Sequence, residues 1–225
     1  TDGVMFSINR EEMSKIYDIN RKWQNRTGFE LEEDEIAKIV QKDVNNYCLI
    51  KENGTVKVKG EYLTYGISEA GAWNINNNAT VVKKALIEYF TKGTPIEQTI
   101  TENNNVLDYQ FIAKAGSKYK SVYHMVNGEK VPVQKVNRVY ASKDPTLGTL
   151  YKIHAETGRP AKIEELPEHC VIDNRNELTI DDIDKSFYIA MAKKRLDDYL
   201  GVKPPKIDKR KLNTLKKQVL KLLEA

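Results

Sequence analysis

Thr1-Asp2-Gly3-Val4, followed by Met5-Phe6, sets a carboxylate in a tight Gly-containing turn that leads into an apolar stretch, Val4 to Ile8. Read as a short strand, that stretch would present Asp2 at a buried sheet edge. There an acidic side chain can hold a hard cation such as Mg²⁺. An Asp-Gly dipeptide by itself more often marks an ordinary turn. Two further groups of residues suit a polyanion. Val56-Lys57-Val58-Lys59 alternates so that both ammonium groups fall on one sheet face. Between Lys114 and Lys162, cations that include Lys118, Lys120, Lys135 and Arg138 interleave with Tyr119, Tyr123, Tyr140 and Tyr151. Cations that neutralise phosphates beside packing aromatics can grip a duplex without reading its sequence. His124, His154 and His169 are too scattered for a zinc site, and the adjacent His169-Cys170 cannot form a tetrahedral centre unaided. Nothing points to a lowered thiol pKa of the kind a Cys–His nucleophile needs.

These residues need elements to hold them. Asn9 to about Gln24 has Met13, Ile16, Tyr17, Ile19 and Trp23 at helical spacing, with Asn9 or Ser7 as cap and Gly28 as stop. Phe29 to Val44 fits helix or strand. Tyr47–Ile50 and Val56–Lys59 flank Asn53-Gly54 and predict a β-hairpin. Asn76 to Asn78 is a polar loop. Thr80 opens a helix whose apolar face is Val81, Val82, Ala85, Leu86, Tyr89 and Phe90, and Gly93 closes it. Pro95 starts a short helix. From Val106 to Glu165 the pattern turns to strands: Asn127-Gly128 joins Tyr119–Val126 to Lys130–Tyr140, and Thr157-Gly158 separates Leu150–Ala155 from Pro160–Ile163. Thr179 with Asp182 reads as a capping box. The helix it opens carries Ile183, Phe187, Ile189, Ala190, Ala192, Leu196 and Leu200 and stops at Gly201. After Pro204-Pro205, a basic helix from Asp208 to about Leu223 is expected. Trp23 and Trp73 read as core.

The chain has 225 residues, 30% of them charged, and a net charge of only +4. The charge is unevenly spread. Residues 114–162 carry eight Lys and two Arg against three carboxylates, and residues 203–225 seven Lys and one Arg against two. Two basic segments on an otherwise acidic body imply an oriented polyanion-binding face. No apolar run approaches the roughly 20 residues of a membrane span, and the start lacks the basic-then-apolar pattern of a secretory signal. Two cysteines are too few for a disulfide framework, so reduced thiols and a cytoplasmic location, including that of a viral protein in host cytoplasm, are expected.

Several of these segments, in order, resemble the family B DNA polymerases, phage-type members included. Thr1-Asp2-Gly3-Val4-Met5-Phe6 is similar to the second half of that family's Tyr-x-Asp-Thr-Asp-(Ser/Gly) palm motif. Asn45-Asn46-Tyr47-Cys48-Leu49-Ile50, Glu52-Asn53-Gly54 and Val58-Lys59-Gly60 follow the order and spacing of its Lys-rich Tyr motif, hairpin and basic-Gly dipeptide. Residues 81–93 and 95–100 resemble the helix pair that begins the thumb, and 181–201 resembles later thumb helices. The resemblance implies an α+β fold: an antiparallel palm sheet with helices over 1–66, then a mixed, mainly helical thumb with β-hairpins over 67–225. It favours strands for Ile36–Val44. It implies DNA-directed nucleotidyl transfer with two Mg²⁺ ions about 4 Å apart. Asp2 would be one metal ligand, the partner Asp lying in an N-terminal polymerase portion not in this chain. Primer-template DNA would contact Asn45, Tyr47, Lys57, Lys59, Lys118, Lys120, Lys135 and Arg138, and dNTP would bind through the complete enzyme. The family has Lys where Asn45 stands, so a phosphate contact there is lost. Lys42, Lys57 or Lys59 would replace it. Without the N-terminal portion the chain should not polymerise. Thr1 at this point of the motif fits an intein junction or a split gene. The alternative is a non-enzymatic nucleic-acid-binding replication accessory protein. A lone Asp-Gly metal site, as in a nuclease or sugar transferase, would lack a second carboxylate motif here.

Overall fold

Hydrophobic alternation and one Asn-Gly turn build the first sheet. The computed structural model describes residues 4–66 and 76–202. Asp2, expected as a metal ligand, Trp73, expected in the core, and the segment 208–223, expected as a basic helix, lie outside the described residues. Strand β1 (Ile36–Asp43), β2 (Asn46–Lys51) and β3 (Val56–Lys59) pair antiparallel in that order. Gly54 adopts φ 81°, and Lys51 N–H donates to Thr55 O across the turn at 2.9 Å. Register sorts the side chains by face. Val40, Cys48 and Val58 form one row, whereas Gln41, Tyr47 and Lys59 share the opposite face with Ile39, Leu49 and Lys57.

Two expectations about the N-terminal region change. Val4 to Ile8 is not a strand: it has no ladder partner among the described residues, and Val4, Met5 and Phe6 are exposed. An apolar run becomes a strand only where another chain segment takes its hydrogen bonds. The helix starts later than its pattern suggested. A 3₁₀ turn at Arg10–Glu12 precedes α1 (Met13–Thr27), which ends on Gly28, and the Asn9 side chain makes no capping bond. No residue of α1 is buried; Trp23, read as core, is 43% exposed and stacks on Phe29.

Helix α2 (Thr80–Lys92) opens at Thr80 and stops at Gly93 as expected, and it buries Val81, Val82, Ala85, Leu86 and Phe90. Helix α3 (Ile96–Glu102) follows Pro95. The Thr179–Asp182 capping box is present but opens a 3₁₀ turn, Ile180–Asp182, rather than the helix itself. Helix α4 (Lys185–Leu200) has its own cap, Asp184, whose carboxylate accepts from Ser186 N–H at 3.1 Å. The residues α4 buries are Tyr188, Ala192 and Tyr199; Leu200, expected on the apolar face, is exposed.

Between α3 and α4 lie β4 (Phe111–Lys114), β5 (Tyr119–Val126), β6 (Glu129–Val133), β7 (Val136–Ala141), β8 (Leu147–His154), β9 (Pro160–Lys162) and β10 (Cys170–Ile172). They form two antiparallel sheets, β6-β5-β8-β9 and β10-β7-β4. The single strand expected over Lys130–Tyr140 is therefore two. Pro132 lacks an N–H and confines β6 to a sheet edge. The chain breaks at Gln134-Lys135, where Lys135 O accepts from Ala115 N–H at 2.9 Å, and β7 crosses to the other sheet. The fold is α+β with antiparallel sheets. Beyond residue 76 the described residues hold three α-helices and seven strands, an even mixture rather than a mainly helical unit.

One core spans these parts. Cys48 and Leu63 join Val81, Leu86, Ile100, Phe111, Tyr140 and Tyr188 in a single buried cluster. Lys38 of β1 donates to Phe90 O at the C-terminal end of α2 at 2.8 Å, a favourable place for a cation. The expected domain boundary at 66/67 falls where the described residues are interrupted. No described helix is long and apolar enough to cross a membrane.

Candidate nucleic-acid interface

The hairpin residues singled out from the sequence are neighbours. Tyr47 lies directly across from Lys59, and Lys57 stands on the same face across from Leu49. Asn45 sits in the β1–β2 turn, where its N–H donates to Asp43 Oδ1 at 2.9 Å. Asn46 Nδ2 donates to both Asp43 oxygens, at 2.8 and 3.0 Å. That amide, then the Asn45 N–H, holds the Asp43 carboxyl below the usual carboxylate range. Gly60 completes the arrangement. Its φ is +102°, and a Cβ there would lie 2.8 Å from Asn45 O and closer still to the Asn46 amide. The Lys59-Gly60 dipeptide is thus required for Asn45, Tyr47 and Lys59 to meet at one end of the sheet. Lys42 takes no part on that face: its ammonium lies 3.2 Å from Asp43 and 5.6 Å from the Tyr62 ring centroid.

The other candidates are spread over separate elements. Lys118 precedes β5 and Lys120 lies within it, both exposed. Lys118 and Lys152 place their ammonium groups 5.4 and 4.7 Å from the centroid of the Tyr119 ring, which His154 meets edge-on. Lys135 is exposed at the β6–β7 break. Arg138 is committed elsewhere. Its guanidinium donates to Asn176 Oδ1 and its N–H to Asn174 Oδ1. Both partners belong to a loop ordered by buried Asp173, whose carboxylate accepts from the N–H groups of Arg175, Glu177 and Leu178. Burial pushes the Asp173 carboxyl up, but those backbone donors outweigh it and hold the group below its usual range. Tyr140 is fully buried, so of the four interleaved tyrosines it belongs to the core. Lys57, Lys59, Lys118, Lys120 and Lys135 enter no ion pair among the described residues.

Sequence reading missed a pair of cations beneath the hairpin. Lys83 is 1% exposed; its ammonium donates to Thr64 O at 2.9 Å and to Asn76 O. Burial, and then the positive charge of Arg195, pulls its pKa down to about 8. The Arg195 guanidinium covers the Tyr62 ring at 4.7 Å. These side chains fasten the turn after β3 to α2 and α4. On the sequence Lys83 is simply one Lys of a helix, and nothing in the pattern marks it as buried.

Neither thiol is poised as a nucleophile. Burial raises the Cys48 pKa and pushes Cys170 up to about 11. His124 and His169 are hydrogen-bonded to the carbonyls of Gly148 and Leu147, at 3.0 and 2.8 Å. No group of three His, Cys, Asp or Glu is gathered for a metal ion among the described residues. In comparisons with known proteins, no family model matches the chain and no curated protein matches it.

Proposed function

We propose that this chain is the C-terminal part of a family B DNA polymerase, the remainder of the palm followed by the thumb. The reading is carried by the hairpin face. Tyr47, Lys57 and Lys59 share one side of an antiparallel sheet whose other side joins the core with α2 and α4. A phenol beside two ammonium groups that pair with no carboxylate among the described residues suits a primer backbone, where phosphate contacts fix position and carry no sequence information. Asp2 then supplies one carboxylate for Mg²⁺, and the N-terminal portion supplies the other and the dNTP site.

The test is reconstitution with an N-terminal polymerase portion. Primer extension should require both polypeptides, and Asp2→Asn should abolish it while DNA affinity is retained. Incorporation by the isolated chain, or undiminished extension by the variant, would defeat the proposal. The accessory-protein reading draws on the tyrosine–lysine contacts of β5 and β8, which need no catalytic carboxylate; it expects Asp2→Asn to change nothing.

A further inference from the structure

Strand register divides the β6-β5-β8-β9 sheet into two unlike faces. One carries Val122, His124 and Leu150 into the core. The other carries Ser121, Tyr123 and Met125 from β5, Tyr151 and Ile153 from β8, Lys130 and Pro132 from β6, and Pro160 and Lys162 from β9. None of the apolar residues on this second face belongs to the core cluster or packs against it. Its centre is an offset stack: the Tyr123 and Tyr151 rings lie 10° from parallel with centroids 5.3 Å apart. The Lys130 ammonium sits 5.4 Å from the Tyr123 centroid on that same face. Tyr123 is buried, whereas Tyr151 remains partly open. No carboxylate stands among the paired residues of the face, and neither Lys130 nor Lys162 enters an ion pair among the described residues.

We propose that this face is a stacking platform for single-stranded nucleic acid. Unpaired bases stack on the open side of Tyr151 beside Ile153 and the two prolines, while Lys130 and Lys162 hold the flanking phosphates. A single strand is the occupant because a ring can stack on a base only when the base has left its duplex partner stack. Positive charge on an apolar aromatic surface suits a polyanion that also presents flat rings. This face shares no residue with the cations expected on duplex DNA, Lys57, Lys59, Lys118 and Lys120.

The measurement is fluorescence anisotropy of labelled oligothymidylate, about a dozen nucleotides long, titrated with the 225-residue chain. A blunt duplex of equal length forms the second arm. Tyr151→Ala should weaken single-strand binding on the order of tenfold and leave duplex affinity within about twofold. Tyr151→Phe, which keeps the ring, should bind as the parent does and so controls for folding. Lys130→Gln with Lys162→Gln should flatten the salt dependence of single-strand binding by about 1.4 in log–log slope, two phosphate contacts' worth. Unchanged single-strand affinity in Tyr151→Ala, an equal loss on duplex, or a parent chain that ignores oligothymidylate would each overturn the proposal. The last result would mark a face for protein.

Discussion

Lys83 shows what burial does to a single charge. Its pKa of about 8 in the folded protein lies below the ordinary 10.5, so between those values the unfolded chain holds a proton that the folded chain has lost. Folding stability attributable to this group therefore rises with pH across that window and is lost as pH falls toward 8. Comparing the parent with Lys83→Met isolates the effect, since the two carbonyl partners are abandoned equally at every pH. From pH 7.5 to 9.5 the parent should gain about 2 kcal/mol relative to the variant in urea unfolding. A pH-independent difference would mean that Lys83 is not held in a desolvated site. Little at this scale was legible beforehand. Nothing in the helical pattern singles out Lys83 or Arg195, and the buried Tyr188 and Tyr199 escaped an apolar count because a phenol suits water or core equally. Tyr188 settles in the core because its hydroxyl finds partners there, donating to Tyr109 O at 2.6 Å and accepting from Ala141 N–H at 3.1 Å.

At the scale of elements, the hairpin turn and the strand that leaves it make different demands on glycine. Gly54 has positive φ with nothing near a would-be Cβ; Gly60 has positive φ and the Asn45–Asn46 turn pressed against it. Gly54→Ala should cost about 1 kcal/mol, the ordinary penalty of a left-handed conformation. Gly60→Ala should cost about 2 to 3 kcal/mol and should also lower DNA affinity, because Asn45, Tyr47 and Lys59 are displaced together. Equal losses of stability from the two substitutions would show that crowding at Gly60 is relieved without cost. The hairpin itself was plain in the sequence, since the turn chemistry and the two-residue alternation agree. The Val4–Ile8 strand was not there to be found: an apolar run says nothing of whether a neighbour will complete its hydrogen bonds. The division of β6 from β7 was hidden because both halves are strand-like, and only pairing with different partners separates them.

Across the whole molecule, charge distribution makes the clearest demand. If Lys57, Lys59, Lys118 and Lys120 each neutralise one phosphate, duplex affinity should fall with salt at a log–log slope of about −3.6. Lys57→Gln with Lys59→Gln should remove about half of it, whereas Arg138→Gln should chiefly reduce stability, because that guanidinium already serves the 173–178 loop. An affinity indifferent to ionic strength would rule out phosphate grip at these sites. By itself the sequence determined what depends on near neighbours: the Asn-Gly hairpin, the buried stripe of α2, and the alternation that keeps Lys57 and Lys59 together. Tertiary structure alone decided which cations remained available, setting Arg138 and Lys83 into internal networks and leaving Lys57, Lys59 and Lys118 outside. Strand and helix periods are local, but whether a charge meets solvent or a carbonyl depends on residues dozens of positions away that only the fold brings near.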